Sequence, residues 1–290
     1  MPDHGSPSVR GRRLAAELRR LREQAGLTGD EVAQHLGWSG SKISRIELRR
    51  TGVKQADLNR LLDLYQVAEP HRGELFALAR ESSEKNRLEQ ATASFPPEYA
   101  EHLHAEAEAE SVRVWEPQVV PGLLQTEDYA RALFRGWQSM FALPPSDLER
   151  RVQARLVRQQ LLTRDPPLQL SVVIDESVLH RRLGDNLIMS QQLRRLAEAS
   201  ELPNVELRIL PLDGSHPIGS GGFSYLRFAQ VHEVPLHDIA AVEHLTGTYY
   251  IEDDEDTNKF LVTFEHLIAL SYEAAPSRDL ILRTAQQVWP

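Results

Sequence analysis

Apolar residues recur at helical spacing along the first part of the chain. Between residues 11 and 25 they return every three or four positions, which places them on one face of a helix, while arginines occupy the other face. Gly26 follows this stretch and is a residue type that commonly ends a helix. The pattern predicts an amphipathic first helix whose apolar positions are Leu14, Leu18, Leu21 and Ala25.

Three shorter helices are predicted next. Thr28 and Glu31 have the spacing of a capping box, which predicts a helix at Gly29–Leu36. Ser39 is predicted to cap a third helix, and a fourth helix is predicted at residues 54–65. The inward positions of the third and fourth helices are Ile43, Ile46, Leu58, Leu61, Leu62 and Tyr65.

The second and third helices have the spacing of a helix-turn-helix. Counted from Gly29, a small residue, Ala33, is fifth, Gly37 is ninth, and Ile43 and Ile46 are fifteenth and eighteenth. Two short helices that cross steeply need a small residue at their contact, a residue tolerant of left-handed geometry in the turn, and branched apolar residues on the second helix. The spacing predicts this supersecondary motif.

Residues 14–67, including the run LGWSGSKISRIE, resemble the phage-repressor-like, xenobiotic-response-element (XRE) family of DNA-binding domains. The resemblance implies that residues 39–48 enter the major groove of double-stranded DNA. Lys42 and Arg45 are long donors suited to guanine edges or phosphates, and one of them is expected to contact a base. The candidate DNA-binding residues are Thr28, Gly29, Ser39, Gly40, Ser41, Lys42, Ser44, Arg45 and Arg49.

Two positions depart from this family's pattern. Its members often carry Gln where this chain has Gly29 and Gly40, and glycine offers only a backbone N–H. Base-specific affinity is therefore expected to be weaker or to depend on neighbouring residues. An alternative interpretation is a helical bundle that has lost DNA binding, with its basic residues on an ordinary solvated face.

Charge is distributed unevenly along the 290 residues. The net charge is −9, which taken alone argues against nucleic acid as a partner, but residues 1–68 hold 12 Lys and Arg against 8 Asp and Glu. Residues 69–290 hold 21 against 34. We therefore predict a helix-turn-helix domain at residues 9–68, a bridging helix or linker at 69–94, and a larger domain at 95–290.

The larger domain alternates between strand-like and helix-like patterns. Strands are predicted at 112–115, 168–174, 205–210, 223–228 and 239–243, with helices between and after them. Ser146 with Glu149, and Ser277 alone, are predicted helix caps, and Arg150, Arg151, Arg155 and Arg158 are predicted to lie outside. The fold class is an all-α helix-turn-helix bundle joined to a mixed α/β domain.

A second resemblance covers residues 95–288. It rests on the run WEPQVVPGLLQTEDYAR at 115–131, followed in order by Arg158-Gln159, Ile174-Asp175-Glu176, residues 179–184, Gln192-Leu193 and Leu210-Pro211 with Phe223. Together these segments resemble the antitoxin-like C-terminal domain of unknown function in actinobacterial helix-turn-helix regulators. The resemblance implies a transcriptional regulator encoded beside a small protein partner.

One recognition helix makes too few contacts for gene-level specificity, so a homodimer on a pseudo-palindromic operator is expected, with dimerisation through the larger domain. The apolar residues around the Pro-Gly turn are candidates for docking the protein partner, although such a run is also typical of a core. These candidates are Val120, Leu123, Leu124 and Tyr129.

Enzyme and metal chemistry find little support in the sequence. There is no cysteine. The glycine-rich segment does not have the spacing of a phosphate-binding motif; its glycines are Gly214, Gly219, Gly221 and Gly222. The histidines His232, His237 and His244 do not have the spacing of a zinc-binding pair. Asp175 and Glu176 end a strand, where capping explains them, and no GxSxG elbow occurs. We expect no enzymatic activity, metal or cofactor; a small-ligand sensor and a hydrolase fused to a DNA-binding domain remain alternatives.

The longest apolar run, near Leu170, is too short to span a membrane, and the first 13 residues lack the apolar region of a secretory signal. We expect a soluble, cytoplasmic protein that joins the nucleoid when it binds DNA.

Overall fold

The chain folds into two compact units. The computed structural model describes residues 9–48, 52–83, 97–141, 144–213, 221–229, 238–244 and 247–290. One unit comprises Met1–Glu108 with Ala229–Leu236, and the other comprises Ala109–Phe228 with His237–Pro290. The first is helical and the second is a mixed α/β domain, so the predicted fold class is confirmed.

Five helices of the amino-terminal unit enclose one apolar core. Leu18, Leu58 and Leu62 are completely buried in it, and the predicted inward positions of the first four helices lie on their inner faces, except Ala25, which is exposed and follows the end of the first helix. The helices are α1 (Val9–Gln24), α2 (Gly29–Leu36), α3 (Gly40–Glu47), α4 (Gln55–Leu64) and α5 (His71–Ser83).

Helix α5 completes this core from the segment predicted to form the bridge. Leu75 and Leu78 are buried in the same apolar cluster as α1 to α4. The buried carboxylate of Glu17 on α1 accepts a hydrogen bond from Arg20 and lies 2.8 Å from Nε2 of His71 on α5. Burial raises the pKa of Glu17, but the bonds to Arg20 and His71 outweigh it and leave the pKa below its ordinary value. The next helix, α6 (Pro97–Glu108), groups with this unit.

The second unit is built on one six-stranded mixed sheet. Its strand order is β3-β2-β1-β4-β5-β6, with β1, β2 and β3 parallel and the remaining pairs antiparallel. In the centre, Val114 of β1 is opposite Val172 of β2 and Ser224 of β4. The strands are β1 (Ser111–Glu116), β2 (Gln169–Asp175), β3 (Val205–Leu210), β4 (Phe223–Arg227), β5 (Ile239–His244) and β6 (Gly247–Ile251).

Helices connect and cover these strands. After β1 the chain makes a 3₁₀ turn at Gly122–Leu124 and two helices before β2. A four-residue helix and a 14-residue helix then link β2 to β3, since parallel strands require crossover connections. Trp115 and Val173 pack on one face of the sheet against Phe264 and Leu267. The helices are α7 (Glu127–Phe141), α8 (Pro145–Gln159), α9 (Ser177–His180), α10 (Asn186–Ala199), α11 (Asp254–Leu270) and α12 (Ala274–Gln287); α8 ends in a 3₁₀ turn at Gln160–Leu162.

Two predicted caps of this unit are wrong. Helix α8 begins at Pro145, whose ring fixes a helical φ, so Ser146 lies inside the first turn and Glu149 pairs with Arg131 instead. Helix α12 begins three residues before Ser277, and the Ser277 hydroxyl accepts a hydrogen bond from the backbone N–H of Ile209 on β3 instead of capping the helix. The strand β6 was not predicted.

Candidate nucleic-acid interface

The motif formed by α2 and α3 has the geometry that its spacing predicts. The capping box is present: the Thr28 hydroxyl accepts a hydrogen bond from the Glu31 N–H, and the Glu31 carboxylate accepts one from the Thr28 N–H. Gly37 ends α2 with φ 64°, a left-handed conformation that side chains resist. Ala33 and Ile43 are buried where the two helices meet.

The outer face of α3 presents polar groups. Ser41, Ser44 and Arg45 are exposed, while Ile43 and Ile46 fix the opposite face in the core. Arg45 donates from Nε to the Ser41 carbonyl oxygen at 3.1 Å, which directs its side chain along the helix. Ser39 occupies the cap position of α3, but its hydroxyl makes no capping bond and lies 3.0 Å from the Ser41 hydroxyl. The Ser39 side-chain cap is therefore a wrong prediction.

Lys42 is held within the bundle. Its ammonium group lies 2.9 Å from Oδ2 of Asp57 on α4 and 3.6 Å from the centre of the Trp38 ring. Its side chain is 32% exposed, so this pair is only partly shielded from solvent. Of the two long donors predicted to reach DNA, Lys42 is therefore paired with an acid, whereas the Arg45 guanidinium has no acidic partner among the described residues.

Two arginines that support the motif were not predicted from the sequence. Arg60 on α4 donates to the Leu36 carbonyl at the end of α2, and its guanidinium lies 5.3 Å from the Trp38 ring centre. Arg22 on α1 donates to both carboxylate oxygens of Glu47, at 2.7 and 3.1 Å. These contacts fix both ends of the motif, and the Arg22 pair neutralises the one acid of α3.

The two glycines that depart from the XRE pattern differ in the space that a side chain would have. A Cβ on Gly29 would lie 3.7 Å from a methyl group of Ile43, an ordinary contact distance. A Cβ on Gly40 would lie 2.8 Å from Oδ1 of Asp30, so a side chain there would displace that carboxylate. Asp30 thus lies at the amino terminus of α3, where the helix dipole favours a negative group. Arg49, the last predicted DNA-binding residue, lies outside the described residues.

The residues predicted as a docking surface are in the core of the second unit. Val120, Leu123, Leu124 and Tyr129 are each at most 2% exposed. The Tyr129 hydroxyl accepts a hydrogen bond from the Val120 N–H at 3.2 Å. Burial raises the pKa of Tyr129, as expected for a phenol in an apolar environment. The alternative that the sequence left open, a core segment, therefore describes these four side chains, and they offer no surface to a partner.

Buried polar side chains hold the 3₁₀ turn that contains this segment. Gln125 donates to the Val120 carbonyl at 2.7 Å and accepts from Arg155 at 2.8 Å, while Gln192 donates to the Leu124 carbonyl and accepts from the Thr126 N–H. Arg155 and Arg158 are each 6% exposed, so the prediction that they lie outside is wrong. The turn covers this face of α8, a long-range contact that helical periodicity does not reveal.

The carboxylates at the end of β2 have structural partners. Asp175 accepts from the Ser177 N–H at 2.9 Å, and Glu176 accepts from the Leu212 N–H at 3.0 Å. In the described part of the chain, no group of three or more His, Asp or Glu side chains is placed to hold a metal ion. Gly214, Gly219, His232 and His237 lie outside that part.

Among the described residues, no helix has the length and apolar character needed to cross a membrane.

Comparison with known proteins matches two family models to successive parts of the chain. A helix-turn-helix domain model matches residues 13–75, which indicates a DNA-binding regulator, and a model described as a domain of unknown function (DUF5753) matches residues 99–283. Neither the curated proteins nor the solved structures gave a match. Since the second model spans more than half of the sequence, the chain belongs to the DUF5753 family and carries a helix-turn-helix domain ahead of that family's domain.

Proposed function

We propose that this protein is a sequence-specific, XRE-type transcriptional regulator that places α3 in the major groove of double-stranded DNA. The observation that supports this most directly is the exposed face of α3. Ser41, Ser44 and Arg45 project from a helix whose other side is fixed by buried isoleucines. In this motif the second helix reads base edges and the first helix crosses the sugar-phosphate backbone.

Within this proposal the residues of α3 have different roles. Arg45 reads a base, because an extended guanidinium can donate two parallel bonds to the O6 and N7 atoms of guanine. Lys42, paired with Asp57 and Trp38, positions α3 against α4 and adds positive charge near the phosphates. The backbone N–H groups of Gly29 and Gly40, at the starts of α2 and α3, face phosphate oxygens, with Thr28 and Ser39 beside them, and Arg49 is a further proposed DNA contact.

A homodimer on a pseudo-palindromic operator is the second part of the proposal. An eight-residue helix contacts only a few base pairs, so two copies about one helical turn of DNA apart are needed for specificity. The second unit mediates dimerisation and binds a small protein partner encoded nearby, as in the antitoxin-like actinobacterial regulators that residues 95–288 resemble. The location proposed is the cytoplasm, on the nucleoid when DNA is bound.

We also propose that the chain is not an enzyme. The acids at the end of β2, the best candidates for general acid or base chemistry, are used as hydrogen-bond acceptors for the backbone that follows. A screen that detected turnover, with loss of that turnover in Asp175→Asn or Glu176→Gln, would contradict this.

The DNA-binding proposal is tested by selecting binding sites from random duplexes with the full chain and footprinting the best site. We expect a two-fold related site. Arg45→Ala should weaken specific binding by about 1–3 kcal/mol and relax preference at one base position in each half-site. Arg80→Ala, an exposed arginine on α5, is the matched control and should leave the preference unchanged.

A footprint without two-fold symmetry would contradict the dimer. Sequence preference that survives the double substitution Lys42→Ala and Arg45→Ala would show that α3 is not the recognition helix. For the partner, co-purification of the full chain with the product of an adjacent small gene in equal amounts is the expected result.

A further inference from the structure

Arg155 on α8 is a buried cation that has no acid within ion-pair distance among the described residues. It is 6% exposed, and in the described part of the chain no carboxylate lies within ion-pair distance of its guanidinium. Its partners are neutral: Nη1 donates to Oε1 of Gln125 at 2.8 Å, and the group lies 4.9 Å from the centre of the Phe134 ring. Burying an uncompensated charge is costly, and a neutral side chain could hold Gln125 equally well.

The unused side of this guanidinium has a specific shape. Nε is buried, and none of the described residues accepts a hydrogen bond from it or from Nη2. The Nε–Nη2 edge of an arginine donates two parallel bonds, a geometry that matches the two oxygens of a carboxylate or phosphate. The opposite end of the group is fixed against Gly122, where a Cβ would lie 2.9 Å from Nη1. The guanidinium is therefore held in place with its forked edge still without an acceptor.

The groups around Arg155 lie at the carboxyl end of β1. Glu116 is the last residue of that strand, and Gly222, just before β4, approaches so closely that a Cβ there would lie 3.2 Å from Oε2 of Glu116. At this position β1 has a parallel neighbour on one side and an antiparallel neighbour on the other. In open α/β sheets, ligands bind beyond the carboxyl ends of the parallel strands.

We propose that the carboxyl end of β1 is a binding site for the carboxylate or phosphate group of a small molecule, anchored by the Nε–Nη2 edge of Arg155 and bordered by Glu116. The site is independent of the DNA-binding face, and it gives the second unit a ligand-binding activity of its own.

Glu116 contributes to this site in its protonated form. Burial, together with Glu243 on β5, raises the pKa of Glu116 to about 8, with Arg155 opposing the shift. The other titratable groups near it are the phenol of Tyr129 and, through Tyr129, Arg181. At pH 7 the Glu116 carboxyl is mostly neutral, so it donates a hydrogen bond to an anion and leaves the charge of Arg155 for the ligand.

The test is calorimetric titration of the full chain with acetate, succinate and inorganic phosphate at constant ionic strength. We expect saturable binding of one anion per chain. Binding of acetate or succinate would identify a carboxylate site, and binding of inorganic phosphate a phosphate site. Arg155→Lys keeps the charge but loses the forked edge, and it should weaken binding at least tenfold. Arg150→Lys, an exposed position on the same helix, is the matched control and should bind as the unchanged protein does.

A pH series with succinate gives a second measurement that does not require an arginine variant to fold. Because an ionised Glu116 competes for Arg155, affinity should fall about tenfold from pH 7 to pH 9, and Glu116→Gln should remove that fall. The site is ruled out if none of the three anions gives saturable binding. Equal binding by Arg155→Lys, or an unchanged pH profile in Glu116→Gln, would also overturn it.

Discussion

At the scale of single residues, Gly122 shows why the turn after β1 contains a glycine. A Cβ at this position would lie 2.9 Å from Nη1 of Arg155 and 3.4 Å from Nη1 of Arg158. Both guanidinium groups are buried, so they have little room to move away. The backbone of the turn and the face of α8 therefore depend on each other.

Gly122→Ala should destabilise the protein by about 1–3 kcal/mol, the usual effect of overpacking a filled core. Gly136→Ala is the control of opposite sign, because Gly136 lies inside α7 with no atom within 4 Å of its would-be Cβ. That change should stabilise by about 0.5–1 kcal/mol through helix propensity. Urea unfolding followed by far-ultraviolet circular dichroism measures both, and equal effects would refute the packing argument.

Glu116 makes stability depend on pH in an unusual direction. Its folded pKa of about 8 lies above its ordinary value of 4.5, so the folded state binds more protons between these values. Stability from this group is complete below about pH 4.5 and is lost as pH rises toward 8, at up to about 1.4 kcal/mol per unit. Comparing Glu116→Gln with the unchanged protein from pH 5 to 8.5 isolates the effect. A constant difference in unfolding free energy across that range would contradict it.

At the scale of elements, α5 belongs energetically to the helix-turn-helix bundle. Leu75 is fully buried in the core shared by α1 to α4, and Glu17 connects α1 to α5 through His71. Leu75→Ala should therefore destabilise by about 2–5 kcal/mol and weaken DNA binding indirectly. Leu48→Ala, at a position 53% exposed, should change stability by no more than about 0.5 kcal/mol. Thermal unfolding of the two variants gives the comparison.

Elements fixed by neighbouring residues could be predicted from the sequence, and elements fixed by distant contacts could not. The boundaries of α2 follow from Thr28, Glu31 and Gly37, which act within a few residues of the helix they limit. The hydroxyl of Ser277, a predicted cap of α12, instead bonds to β3, 68 positions away in the sequence. Arg155 has the spacing of an exposed arginine, and only the folded 3₁₀ turn buries it.

The same limit applies to the candidate site. The sequence shows that Ile43 and Ile46 point inward, and the remaining positions of α3 therefore form the polar face of the site. The pairing of Lys42 with Asp57 joins two helices and depends on how α4 packs.

At the scale of the whole molecule, opposite charge is assigned to two parts of the sequence. The apolar core of the amino-terminal bundle lies entirely between Leu14 and Ala79, so residues 1–83 contain all of it. The sheet and its helices lie in the unit that begins at Ala109. The excess of Lys and Arg is confined to residues 1–68, and the remainder of the chain is strongly acidic. Contact with phosphate is therefore expected from residues 1–68 alone.

Separate fragments test this assignment. Residues 1–83 should bind duplex DNA of unrelated sequence, with log K falling against log salt concentration by about 0.9 for each phosphate neutralised. Residues 109–290 should bind none, because their surface repels phosphate, although circular dichroism should show them folded. Fluorescence anisotropy of a labelled duplex between 50 and 200 mM salt, the range over which such contacts weaken steeply, measures both. Binding by the acidic fragment, or a salt-independent affinity of the basic one, would show that the charge pattern does not determine where DNA lies.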